Sequence, residues 1–140
     1  MVRILAYCIN ADERLSFTRG LSATEEPDMW IKTLDDQISL WIDVGEPSLD
    51  RIKKVSRNSE AVKIYSFNTK SDLWWSRLSN QVDRLPVSVY QFQWESIQLL
   101  AAMVERTMTM SVTISDGSAF VATELGECEV AWLTLWQSQD

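Results

Sequence analysis

The sequence predicts an α/β domain of the α+β kind, a mixed sheet flanked by helices, and three observations carry that prediction. Apolar segments with a two-residue period, clearest at Ile38, Leu40, Ile42 and Val44, alternate with segments whose apolar residues recur at helical spacing. The last third changes character: Met108, Met110, Val112 and Ile114 alternate with hydroxyl residues, and Asp116-Gly117 supplies a hairpin turn, so an antiparallel meander should end the chain. A length of 140 residues, 46% of them apolar, suits one domain over 1–140 with one core.

Element by element, Ile4, Leu5, Cys8 and Ile9 share one side of a helix over Met1 to Ile9. Leu15 and Phe17 alternate with Ser16 and Thr18 in a strand from Arg14 to Thr18, and Gly20 ends it. After the acidic stretch Thr24 to Glu26 and Pro27, Asp28 to Ile31 reads as a short strand or extended segment. On the next strand Ile38, Leu40, Ile42 and Val44 should face one pure core while Ser39, Trp41 and Asp43 face the other way. Gly45 breaks this strand, and Pro47-Ser48 opens a helix with Leu49, Ile52 and Val55 as its stripe. Ala61 to Phe67 is a strand. Asn68 or Thr69 can cap a helix reaching about Leu78. Val87 to Phe92 is a strand and Trp94 to about Glu105 a helix. The meander consists of Thr107 to Ile114, Ala119 to Thr123 and Cys128 to Trp136.

Composition removes several chemistries. With no histidine, catalytic triads, histidine bases and the commonest transition-metal ligand are all missing, so catalysis would fall to carboxylates, lysine, tyrosine, serine or a hard metal ion held by oxygen. A net charge of −7 opposes avid, nonspecific binding to nucleic acid. No run approaches the roughly 20 apolar residues of a membrane span and no signal-peptide pattern opens the chain, so a cytoplasmic protein is expected. Cys8 and Cys128 lie far apart in apolar segments, as buried thiols do.

Two aspartates are the candidate chemistry. If the Asp28 segment pairs with the Asp43 strand, their carboxylates converge on one side of the sheet and could hold Mg²⁺, which polarises a bound water or phosphoryl oxygen. Trp30 and Trp41, each two residues from an aspartate, should share that side. Charge developing on a phosphodiester also needs a cation. Arg51, Lys53, Lys54, Arg57 and Lys63 form the basic cluster, and at ~100° per residue Lys53 flanks the apolar stripe while Lys54 points nearly opposite it, which favours Lys53. The plain alternative is that Pro27-Asp28 is a turn and Lys53-Lys54 a solvated helix face. Trp74-Trp75, Trp132 and Trp136 read as packing residues, because no basic residues are interleaved with them.

The runs Asn10-Ala-Asp-Glu-Arg-Leu-Ser-Phe-Thr-Arg-Gly-Leu-Ser22, Glu26-Pro-Asp-Met-Trp30, Leu40-Trp-Ile-Asp-Val-Gly45, Arg51-Ile-Lys-Lys54 and Glu105-Arg-Thr-Met-Thr109 resemble the bacterial YaeQ family over essentially the whole chain. The resemblance implies a core similar to PD-(D/E)XK nucleases, with the order helix, three strands, helix, strand. By position, Asp28 resembles the motif aspartate and Asp43 the acidic residue of the (D/E)XK strand. Gly45 departs from the motif lysine, for which Lys53 or Lys54 would be a relocated substitute.

Family members carry a further N-terminal part, so the first core helix is expected to be truncated here. At ~1.5 Å per residue, Met1 to Ile9 spans only about 13 Å. Leaving ~300 Å² of apolar sheet bare would forfeit ~7 kcal/mol, so the chain is expected to self-associate or fold marginally. Two functions follow. One is Mg²⁺-dependent phosphodiester hydrolysis on nucleic acid by Asp28, Asp43 and Lys53 or Lys54. The other is a non-enzymatic binding or accessory protein, for which the resemblance suggests a partner in transcription elongation.

Overall fold

The computed structural model describes residues 2–12, 14–17, 27–67, 71–82, 84–103 and 110–137. Its elements are α1 (Val2–Ile9), β1 (Leu15–Phe17), β2 (Met29–Lys32), β3 (Ile38–Val44), α2 (Leu49–Asn58), β4 (Ser59–Ser66), α3 (Ser71–Leu78), β5 (Val87–Phe92), α4 (Trp94–Ala102), β6 (Met110–Ser115), β7 (Ser118–Thr123) and β8 (Gly126–Trp136). The strands form one curled sheet in the order β1-β2-β3-β4-β5-β8-β7-β6. The pairs β3–β4 and β4–β5 are parallel, and the remaining pairs are antiparallel. This is the mixed α+β architecture the sequence predicts. No described helix is long and apolar enough to cross a membrane.

Local chemistry explains most boundaries. Ser48 caps α2 by accepting a hydrogen bond from the Arg51 N–H at 3.2 Å, and Ile52 and Val55 are its buried stripe. Gly117 takes a positive φ of 82° in the β6–β7 turn, where a side chain would be strained. The expected caps Asn68 and Thr69 lie outside the described residues, as do Thr18, Gly20, Thr24 to Glu26, Glu105 and residues 107–109.

Two corrections concern β3. Its second face is not outside the core, since Trp41 and Asp43 are both buried there. Ile38 also leaves the expected set and packs on the Trp41 side. The pairing explains this reversal: Ile31 opposes Leu40 but Lys32 opposes Ile38, so Ser39 is an extra residue that turns the strand's start over.

Both faces of the sheet are therefore covered. On one, Val2, Leu5 and Ala6 of α1 pack with Met29, Ile31 and Ile42, in a cluster continuous with Ile97 and Leu100 of α4 and with Val121 and Val130 of the meander. Because the sheet curls, α1 touches both β3 and β6. Ile42 is fully buried, so the cover that one short helix could not supply comes from the C-terminal third. On the other face α2 and α3 pack over β3, β4 and β5, burying Ile52, Val55 and Leu78 against Val62, Ile64, Val87 and Val89.

Candidate functional site

The two aspartates are neighbours across β2 and β3. Met29 opposes Ile42, and the Asp28 N–H donates to the Ile42 carbonyl at 3.1 Å, which brings Asp28 beside Asp43. One step along, Trp30 opposes Trp41, and their rings meet edge to face at 6.3 Å. The expected side-by-side arrangement of two carboxylates and two indoles is therefore present.

Each carboxylate is already engaged. Asp43 is 5% exposed, and Arg51 grips it with two prongs, Nε to Oδ2 at 3.0 Å and Nη2 to Oδ1 at 3.3 Å. The same guanidinium lies over the Trp41 ring at 5.6 Å. Such a fork pairs planar groups in the geometry that suits them best. Asp28 accepts from the Val44 N–H at 2.8 Å through Oδ2, and its Oδ1 lies 3.2 Å from Arg3 Nε of α1. Burial raises the Asp28 carboxyl above its usual range, against the Val44 hydrogen bond; the Asp43 charge adds to the rise, while Arg3 and Arg51 oppose it.

The connection after Asp43 sets this geometry. Gly45 has a φ of 121°, where any residue with a Cβ is strained, and its N–H donates to Tyr65 O at 2.8 Å. Lysine could not stand here without strain. Helix α3 braces the same loop: Ser71 Oγ donates to Glu46 at 2.9 Å and Trp74 Nε1 donates to Pro47 O at 2.8 Å. Arg51 then falls in the first turn of α2, within reach of Asp43.

Lys53 and Lys54 are both exposed. Lys54 borders a cavity beside Trp41 together with Arg51, whereas Lys53 is not among the residues lining it. The cavity sits on the Arg51–Lys54–Asn58 flank of α2, which the apolar stripe alone does not single out. Sequence reasoning missed Arg51 as the partner of Asp43, although a signal existed: an arginine in a helix's first turn opposes the dipole there and calls for a nearby carboxylate.

A second polar group, on the α1 side, had no local signal. Lys63 Nζ donates to Asn10 Oδ1 at 2.7 Å, and Asn10 Nδ2 donates to the Tyr65 hydroxyl at 2.8 Å. Burial lowers the Lys63 amine and raises the Tyr65 phenol. Burial also raises both cysteine thiols, Cys8 and Cys128, which favours the thiol over the thiolate.

Magnesium would have to displace partners that both aspartates already hold. Among the described residues no group of three or more carboxylate, cysteine or histidine side chains is placed to hold a metal ion, and the Asp28–Asp43 pair offers its oxygens to arginines and a backbone N–H instead.

The family model described as YaeQ protein matches residues 1–132. The chain belongs to the YaeQ family. The uncharacterized protein YaeQ of Escherichia coli (strain K12) is 37% identical over 139 residues, covering 98% of this chain and 76% of that protein. The YaeQ protein of Salmonella typhi is 35% identical over the same shares. Two crystal structures of YaeQ proteins superpose closely. That from Xanthomonas axonopodis pv. citri gives a TM-score of 0.92 at 29% identity, over 98% of this chain and 78% of that one. That from Pseudomonas syringae gives 0.91 at 32% identity, over 99% and 78%.

Proposed function

We infer that this YaeQ domain is a non-enzymatic binding module on a nuclease-like layout. The observation that carries this reading is the Arg51 fork on Asp43, which occupies the carboxylate that a PD-(D/E)XK site would give to a metal. The order of α1 to β4, helix, three strands, helix, strand, supports the nuclease-like layout that the family resemblance implies. At the motif lysine's position stands Gly45, in a conformation that disfavours any side chain. The suggestion of a partner in transcription elongation rests on the family resemblance alone.

One observation favours the other reading, Mg²⁺-dependent phosphodiester hydrolysis: Asp28 and Asp43 lie side by side with Lys54 on the next helix. Calorimetric titration with Mg²⁺ and a cleavage panel of single-stranded, duplex and branched DNA and RNA separate the two. A binding module gives no heat assignable to Asp43 and no cleavage. Metal-dependent cleavage abolished by Asp43→Asn would overturn it in favour of the hydrolase.

A further inference from the structure

The parallel core of the sheet has a switch point. Helices α2 and α3, which lead from β3 to β4 and from β4 to β5, bury Ile52, Val55 and Leu78 on one face, whereas α4, which follows β5, buries Ile97 and Leu100 on the other. The chain thus leaves the neighbouring parallel strands β4 and β5 toward opposite faces, and in open α/β sheets such a divergence is where a crevice forms, at the carboxyl ends of the strands. A cavity of about 480 Å³ lies there, lined by Asp72 of α3, Gln91 and Gln93 around the end of β5, Trp94 and Glu95 of α4, and Leu133 of β8.

Its chemistry differs from that of the Asp28–Asp43 pair. Asp72 and Glu95 are exposed, and among the described residues neither has an ion-pair partner. Phe67 stacks on Trp94 with ring centroids 6.4 Å apart, which fixes the plane of an indole that also lines the cavity. Leu133 is 60% exposed. We propose that this crevice docks an arginine-anchored segment of a partner protein. A guanidinium is planar and carries five N–H donors, so it can lie along the Trp94 ring while donating to the Asp72 and Glu95 carboxylates and to the amide oxygens of Gln91 and Gln93. An ammonium matches the charge but not the flat shape. Charge complementarity thus selects a cation and the ring selects arginine. Leu133 selects a chain over the free amino acid, since an apolar residue next to the arginine would bury it. The proposal goes beyond the binding-module reading, because it uses neither Asp28 nor Asp43 and its test contains no metal.

Calorimetry of the whole chain with a blocked pentapeptide, arginine at its centre and a leucine on each side, tests it, with lysine or citrulline in place of the arginine and free L-arginine as separate arms. The arginine peptide is expected to bind with a Kd of about 100 μM or tighter, the lysine peptide roughly threefold weaker, and the citrulline peptide and free arginine roughly tenfold weaker. Glu95→Gln and Asp72→Asn, both at exposed positions, should each weaken the arginine peptide about tenfold, as loss of one charge-assisted contact implies. Asp116→Asn removes the same charge from the β6–β7 turn and should leave the affinity unchanged. Absence of binding by the arginine peptide at millimolar concentration overturns the proposal. So does a lysine peptide, a citrulline peptide or free arginine that binds as tightly, or a loss in Asp116→Asn equal to that in Glu95→Gln, which would show attraction to net charge alone.

Discussion

On the α1 side of the sheet, Lys63 is held by neutral partners: it reaches an asparagine amide, which passes a hydrogen bond to a tyrosine. On the α2 side, charge meets charge, with Asp43 in the fork of Arg51 beside an open cavity. The first face is closed by pieces from both ends of the chain, and the Lys63–Asn10–Tyr65 chain is made as an incidental part of that packing. The second is built locally, from a strand end, a braced loop and the first turn of the next helix. Candidate function therefore belongs to the second face, where a rigid loop fixes a cation against a carboxylate.

The same kind of substitution on each face should show the difference. Arg51→Met leaves the Asp43 carboxylate buried and unpaired, and should cost about 3 kcal/mol in denaturant unfolding. A cost below ~1 kcal/mol would erase the contrast. Gly45→Lys restores the motif residue where φ is 121°, and should cost about 2 kcal/mol without creating metal binding, as melting and Mg²⁺ titration would show.

Lys63→Met leaves only an amide oxygen short of a donor and should cost no more than about 1 kcal/mol. Its pH signature is distinct. Burial lowers the Lys63 amine in the folded chain, so its contribution is present above the unfolded value of 10.5 and is lost as pH falls through the lowered folded value. Lys63→Met should flatten stability against pH within that alkaline window.

Asp28→Asn is the smallest effect, within about 1 kcal/mol of wild type, because asparagine can still accept from Val44. Here the sign reverses the usual carboxylate case. The folded value is raised, so the contribution is full below 3.8 and is lost as pH rises through the folded value; the variant should lack that slope in acid unfolding curves.

Much of this was legible in the sequence for local reasons. The period of β3 gave its bounds, Ser48 announced α2, and Asp116-Gly117 announced the β6–β7 turn. Two adjacent extended segments made it possible that Asp28 would come beside Asp43 if they paired. What escaped was set by register and distance. The extra residue at Ser39 reverses Ile38, and no pattern within β3 encodes that. Closure over Ile42 depends on the sheet curling until β6 meets α1, a property of the whole sheet. Asn10 and Lys63 are 53 residues apart and meet only through the fold. Arg51 was readable in principle, as a cation where the helix dipole disfavours one.

The central claim is that Arg51, and not a metal ion, satisfies Asp43. A double-mutant cycle of Asp43→Asn and Arg51→Gln, measured by denaturant unfolding with and without millimolar Mg²⁺, tests it most directly. The expected result is a coupling of about 2–3 kcal/mol that Mg²⁺ leaves unchanged. A coupling near zero, or Mg²⁺ stabilising the wild type but not Asp43→Asn, would contradict the account.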